Sequence, residues 1–139
     1  MTLSVRSQDG YTIATIGGDL DIARVPALRE QLFGLLGPDA NQLVVVLSDV
    51  TFCDSSGLAV LIGARRRAWV LGGVLRLVAP APSVAAALRL TGLDLQFEIF
   101  PTELAATSAA VPYGVESDHE RLLRNQGGYD PRLRRCGRR

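Results

Sequence analysis

Lysine is absent from this chain of 139 residues, whose fifteen basic residues are all Arg. That excludes Schiff-base chemistry on a lysine amine and a phosphate loop that depends on Lys. Histidine occurs once, as His119. It lies in a segment that does not read as folded core, which argues against a Ser-His-Asp triad. Two cysteines, Cys53 and Cys136, make neither a disulfide framework nor a metal set. No apolar run reaches the length of a membrane span, because Arg65-Arg66-Arg67 interrupts the longest candidate. The start, Met1-Thr2-Leu3-Ser4-Val5-Arg6, lacks the apolar centre of a signal peptide. A net charge of +1 gives no reason to expect nucleic acid or an acidic substrate. The expectation is a cytoplasmic protein that is not an enzyme, with no metal, no cofactor, no direct nucleic-acid contact and no membrane contact.

What is present is a globular composition, 47% hydrophobic, in a chain long enough for one core. Charge is uneven: residues 1–111 carry eight Arg and ten acids, residues 112–139 seven Arg and four acids. The second stretch is broken by Pro112, Gly114, Gln126-Gly127-Gly128, Pro131 and Gly137. We expect one domain over 1–111 and a disordered Arg-rich tail over 112–139. Within the tail, Ser117 and Glu120 match a capping box for a transient helix over 117–125. The basic run 132–139 is read as solvated in preference to a contact with an anionic surface.

The order of elements follows from pattern. Leu3 and Val5 alternate with polar residues, Asp9-Gly10 marks a turn, and residues 11–16 read as the second arm of a hairpin. Gly17-Gly18-Asp19-Leu20-Asp21 is expected as a loop. Pro26 opens a helix with a stripe of Leu28, Leu32 and Leu35, stopped by Gly37-Pro38. Leu43-Val44-Val45-Val46-Leu47 does not alternate, as in a strand covered on both faces. A helix with Leu58, Leu61, Ala64, Ala68 and Leu71 at its core follows, ended by Gly72-Gly73. Residues 74–78 are a strand, Ser83 caps a short helix, and Thr91-Gly92 stops it. Leu95, Phe97 and Ile99 suggest a half-buried edge strand, and Pro101-Thr102 opens a last helix to about residue 110. Two strands followed by helix–strand alternation describe an α/β fold with a mixed sheet and packed helices.

The junction Asp54-Ser55-Ser56-Gly57-Leu58 carries the chemistry. An acid and two hydroxyls before an apolar helix are helix-capping groups; capping accounts for one or two of the three, and a second hydroxyl ahead of a glycine suggests something more than a cap. Asp21 and Asp54 are conceivable as an acid–base pair, with nothing else to imply a pocket. Asp21 on local grounds holds the loop before Pro26. Ile62, Arg65, Arg66 and Trp69 fall along one side of the following helix at helical spacing. Trp69 is either the lid of the core or an interface anchor, since Trp is rarely fully buried. Cys53 reads as a small packed apolar residue.

Over roughly residues 2–110 the chain resembles a STAS domain of the anti-sigma factor antagonist type. The resemblance rests on Gly18-Asp19-Leu20-Asp21, the motif from Asp54 to Leu58, Gly72-Gly73 and Thr91-Gly92-Leu93, in that order. It implies a STAS-like mixed sheet of about five strands with about four helices. It implies that Ser56 is the phospho-acceptor and that Asp21 lies near it and takes part in partner contact. The partner-binding set is then Asp21, Asp54, Ser55, Ser56, Gly57, Ile62, Arg65, Arg66 and Trp69. Asp54 and Ser55 are expected to cap the helix or to position the acceptor loop. The partners implied are an anti-sigma factor that is also a serine kinase, and a serine phosphatase; oligomeric state is left open. A phosphate at Ser56 is expected to find the helix N-terminus favourable, so that stability holds or rises slightly. Rival readings are a STAS subunit of another assembly, such as a transporter accessory protein, and a small-ligand or nucleotide-binding domain. The second is disfavoured by the lack of a Lys-bearing phosphate loop.

Overall fold

In the computed structural model, which describes residues 1–109, Asp9 and Gly10 both take positive φ, 54° and 84°. Two successive left-handed residues make the tight turn whose twist suits a hairpin. β1 (Thr2–Gln8) accordingly runs antiparallel to β2 (Tyr11–Leu20), with Gln8 opposite Tyr11. β3 (Gln42–Cys53), β4 (Val74–Val78) and β5 (Glu98–Phe100) then add in chain order, each parallel to the strand before it. Parallel neighbours need crossovers. These are α1 (Val25–Gly34), α2 (Ser55–Val70) and α3 (Pro82–Thr91), the last followed by a 3-10 turn, Leu93–Leu95; α4 (Glu103–Ser108) follows β5. The described residues thus form the expected STAS-like mixed sheet of five strands with four α-helices.

The unbroken apolar run in β3 is covered on both sides. Leu43, Val45 and Leu47 face the larger core, built with Leu28 and Leu32 of α1, Leu58, Leu61, Ala64 and Ala68 of α2, and Val84 and Leu88 of α3. Val44 and Val46 face the opposite side, with Tyr11, Ile13, Val74, Val78 and Ala106 of α4. Period-two alternation divides one apolar strand between two cores.

Four expectations need correction. The stretch 17–20 is strand rather than loop: β2 keeps pairing with β3 through two register shifts, at Thr15/Gly17 and Gly18/Asp19. Glycine permits this, since a Cβ on Gly17 would stand 2.8 Å from Thr2 Oγ1, and Gly18 has a φ of 90°. The third buried leucine after Leu28 and Leu32 is Leu36; Leu35, the C-cap, is only partly buried. Ser83 does not cap α3, which starts one residue earlier with Ala81 as N-cap; its hydroxyl donates to Thr51 O at 3.5 Å. Finally, Leu95 lies in the 3-10 turn, 87% exposed, and β5 is only three residues long, so of the alternating trio only Phe97 is buried. The expected domain end at 111, the disordered tail and the helix over 117–125 lie outside the described residues.

Candidate functional site

β3 outruns β4: its pairing with β4 stops at Val46, while its pairing with β2 continues to Cys53. The strand therefore delivers the motif beyond the C-terminal edge of its neighbour, next to the β2–α1 loop. Asp54 is the N-cap of α2, in extended backbone conformation. Its Oδ1 accepts from the N–H groups of Ser56 (3.0 Å) and Gly57 (3.2 Å) and from the Ser56 hydroxyl. The Ser56 hydroxyl is thus held by the carboxylate that caps its own helix. These contacts hold the Asp54 carboxyl below the usual carboxylate range. The hydroxyl donated by Ser56 contributes most, partial burial works against it, and N–H groups of Gly57, Ser56 and Ile22 assist. Ser55 is exposed and Ser56 half-buried.

The β2–α1 loop meets the same end. Asp54 N donates to Leu20 O (3.3 Å), and the Ile22 N–H that supports the Asp54 carboxylate belongs to this loop. Asp21 is held locally: its carboxylate accepts from Arg24 N (3.2 Å) and Arg24 Nη1 (2.6 Å), shaping the entry to α1. Gly57 is needed for closeness, because a Cβ there would stand 2.8 Å from both Cys53 Sγ and Leu20 O. Cys53 is partly buried against the core, and its thiol is pushed up to about 11, by burial and then by the charge on Asp54. That fits the small packed residue read for it.

The family model for the STAS domain matches residues 2–106. This chain belongs to the STAS domain family. The Mycobacterium tuberculosis anti-sigma-F factor antagonist RsfB is 29% identical over 104 residues, covering 73% of this chain and 83% of that protein. The Bacillus subtilis anti-sigma-B factor antagonist is 30% identical over 93 residues, covering 67% of this chain and 84% of that protein. A crystal structure from Thermotoga maritima superposes with a TM-score of 0.71 at 28% identity, covering 75% of this chain and 90% of the other.

On this STAS domain the residues singled out on α2 divide between two sides. Ile62 joins Ser55, Leu58, Ala59, Thr91 and Leu93 around an apolar groove of about 300 Å³ that starts beside the motif. The Arg65 guanidinium lies 4.5 Å from the Trp69 ring centroid and 5.8 Å from that of Phe97, so Trp69 is a half-buried stacking partner on that side. Arg66 turns toward α1 and lines a different groove. No group of His, Cys, Asp and Glu among the described residues is placed to hold a metal ion. No helix among them is long and apolar enough to cross a membrane.

Sequence reasoning missed three residues. Ile22 (76% exposed) and Phe52 (49%) stand in the two segments that frame Ser56. Large apolar residues on turn-like or strand-end positions were the available signal for them. Arg76 is fully buried in β4. Its Nη1 donates to Tyr11 Oη (2.8 Å), Ala106 O (2.7 Å) and Ala109 O (3.0 Å), and its Nε to Glu98 Oε1 (3.2 Å). The guanidinium also lies over the Tyr11 and Phe100 rings. A charge in the middle of Val74-Leu75-Arg76-Leu77-Val78 was the signal for Arg76. It ties the C-terminal turn of α4 to the sheet.

Proposed function

We propose that this STAS domain is an anti-sigma factor antagonist switched by phosphorylation of Ser56. The unmodified form captures, in the cytoplasm, an anti-sigma factor that is also a serine kinase, and a sigma factor is thereby released to RNA polymerase. The kinase transfers the terminal phosphoryl group of ATP to Ser56 Oγ; the hydroxyl proton departs and ADP leaves. The modified domain lets go, and a serine phosphatase hydrolyses the ester to reset it. The domain is substrate and ligand in this cycle, not catalyst. One observation carries the reading: the Ser56 hydroxyl sits at the projecting end of β3, oriented by the Asp54 carboxylate at the start of α2. The names of the mycobacterial and Bacillus relatives support it.

The surface offered to the partner combines Asp21, Asp54, Ser55 and Ser56 with the exposed Ile22 and Phe52; Gly57, expected in the contact set, is buried against Cys53 and Leu20 and shapes the turn from beneath. It continues along α2 through Ile62 to the stacked Arg65 and Trp69. Apolar and aromatic anchors inside a polar rim suit a protein interface. The cap geometry supports one way for the proposed switch to act. Asp54 already takes the N–H groups of Ser56 and Gly57, so a phosphate finds those donors occupied. It also removes the hydroxyl hydrogen that Asp54 accepts and adds close to two negative charges beside that carboxylate. The dianion is therefore driven outward, into the interface, and the domain loses a little stability in place of the slight gain expected from the helix dipole. Like-charge contact across an interface costs several kcal/mol.

Affinity capture from a lysate with unmodified protein, Ser56→Ala and Ser56→Asp tests the reading. The first two should retain one kinase-like partner and Ser56→Asp should lose it. Recovery of the same proteins by all three would sink the proposal.

A further inference from the structure

The side of α2 away from the Arg65–Trp69 stack faces α1 across a groove of about 320 Å³, lined by Arg29, Phe33, Gly63, Arg66, Arg67 and Val70. Gly63 lets the helices close on Phe33, whose Cζ would stand 3.0 Å from a Cβ there. The floor is apolar, with the Phe33 ring and the half-exposed Val70, while Arg29 stacks on Phe33 at 5.0 Å. Three arginines converge on this floor. The ion pairs seen among the described residues engage Arg6, Arg24 and Arg76, and none engages Arg29, Arg66 or Arg67. α2 contains no acid in its sixteen residues, and the one acid of α1, Glu30, does not line the groove.

We infer that the α1–α2 groove is a second docking surface, one that takes an acidic amphipathic helix of a protein partner. Charge complementarity chooses the occupant. Three like charges held together without acids attract an anionic segment, and the apolar strip between them takes a non-polar side chain. A helix laid between two helices presents both, with carboxylates along its flanks and an apolar residue over Phe33 and Val70. The chain's own residues 112–139 are a poor occupant, since they carry seven Arg against four acids. Arg66 lies ten residues after Ser56 on one helix, about 15 Å along its axis. A partner seated here leaves the Ser56 end accessible, so this surface does not depend on the phosphorylation reading.

The test uses the full chain and an end-blocked, fluorescent peptide of about fifteen residues built from Glu, Leu and Ala in helical register. A control peptide has Gln in place of every Glu. Binding of the acidic peptide alone is expected, weakened at least about tenfold in the double variant Arg66→Ser/Arg67→Ser and at high salt. Val70→Glu, which places a carboxylate in the groove, should weaken it without removing an arginine, and melting curves confirm that each variant is folded. Ser56→Asp should bind the peptide as the unmodified protein does, which separates failure here from failure of the Ser56 switch. Equal affinity for both peptides, or for all the variants, would overturn the inference. So would binding of ATP, of pyrophosphate or of phosphatidylglycerol vesicles in place of the peptide, or self-association of the chain through this groove.

Discussion

The two faces of the sheet hold their polar groups in opposite ways. At the Ser56 end, a carboxylate, a hydroxyl and two N–H groups from residues 54–57 satisfy one another within a single half-buried turn. On the other face, Arg76 is enclosed and reaches Tyr11, Ala106 and Ala109, partners 65, 30 and 33 residues away. The first arrangement is local and available to a partner. The second is long-range and fixes α4 to the sheet. On the proposed reading, function would rest on a few adjacent residues at the surface, while a buried charge far from them holds α4 to the sheet.

The largest expected effect on stability comes from breaking the enclosed side. Arg76→Leu strands two carbonyls and the Tyr11 hydroxyl, and should cost about 3 kcal/mol. For a domain of this size that is a fall in Tm on the order of 10–20 °C. If the comparison holds, the folded variant still captures the same partner at lower temperature. Next comes Gly57→Ala, which crosses the boundary between the two regions. Its methyl meets Leu20 O and Cys53 Sγ, so the first turn of α2 must lift away from β2, at a cost of about 1–3 kcal/mol. Thermal melts and partner capture should both suffer, unlike for Arg76→Leu.

The smallest effect is on the Asp54 cap. Because its folded-state pKa is lowered, Asp54 contributes stability above its unfolded value, about 3.9, and loses it as pH falls through the folded value. Asp54→Ala should therefore melt below the parent protein at neutral pH, and the gap should close on acidification. A gap that persists at low pH would mean that the charge of the carboxylate is not what holds the turn.

The same contrast explains what could be read in advance. The cap at Asp54, the αL stop at Gly92 and the two-faced burial of residues 43–47 follow from short-range chemistry and periodicity, and all were legible. The run of β2 through Gly17 and Gly18 was not, because two glycines read as a loop until β3 is present as a partner. The bulges there upset the alternation that would have placed Phe52 on one face. Arg76 stood out only as a charge in an apolar strand, and its role was not legible for a related reason: its acceptors are brought together only by the sheet and α4. Arg66 was grouped with Ile62, Arg65 and Trp69 on helical spacing alone, and the packing of α1 is what separates it.

The central claim is that a single phosphate at Ser56 releases the partner while the fold persists. Its most direct test is titration of the captured partner with the domain before and after phosphorylation by that partner and ATP, with the site mapped and the near-UV signal recorded. The account predicts one phosphate on Ser56 and none in Ser56→Ala. It also predicts affinity weakened roughly a thousandfold, about 4 kcal/mol, with the near-UV signal retained. A phosphate on Ser55, or unchanged affinity after modification of Ser56, would contradict it.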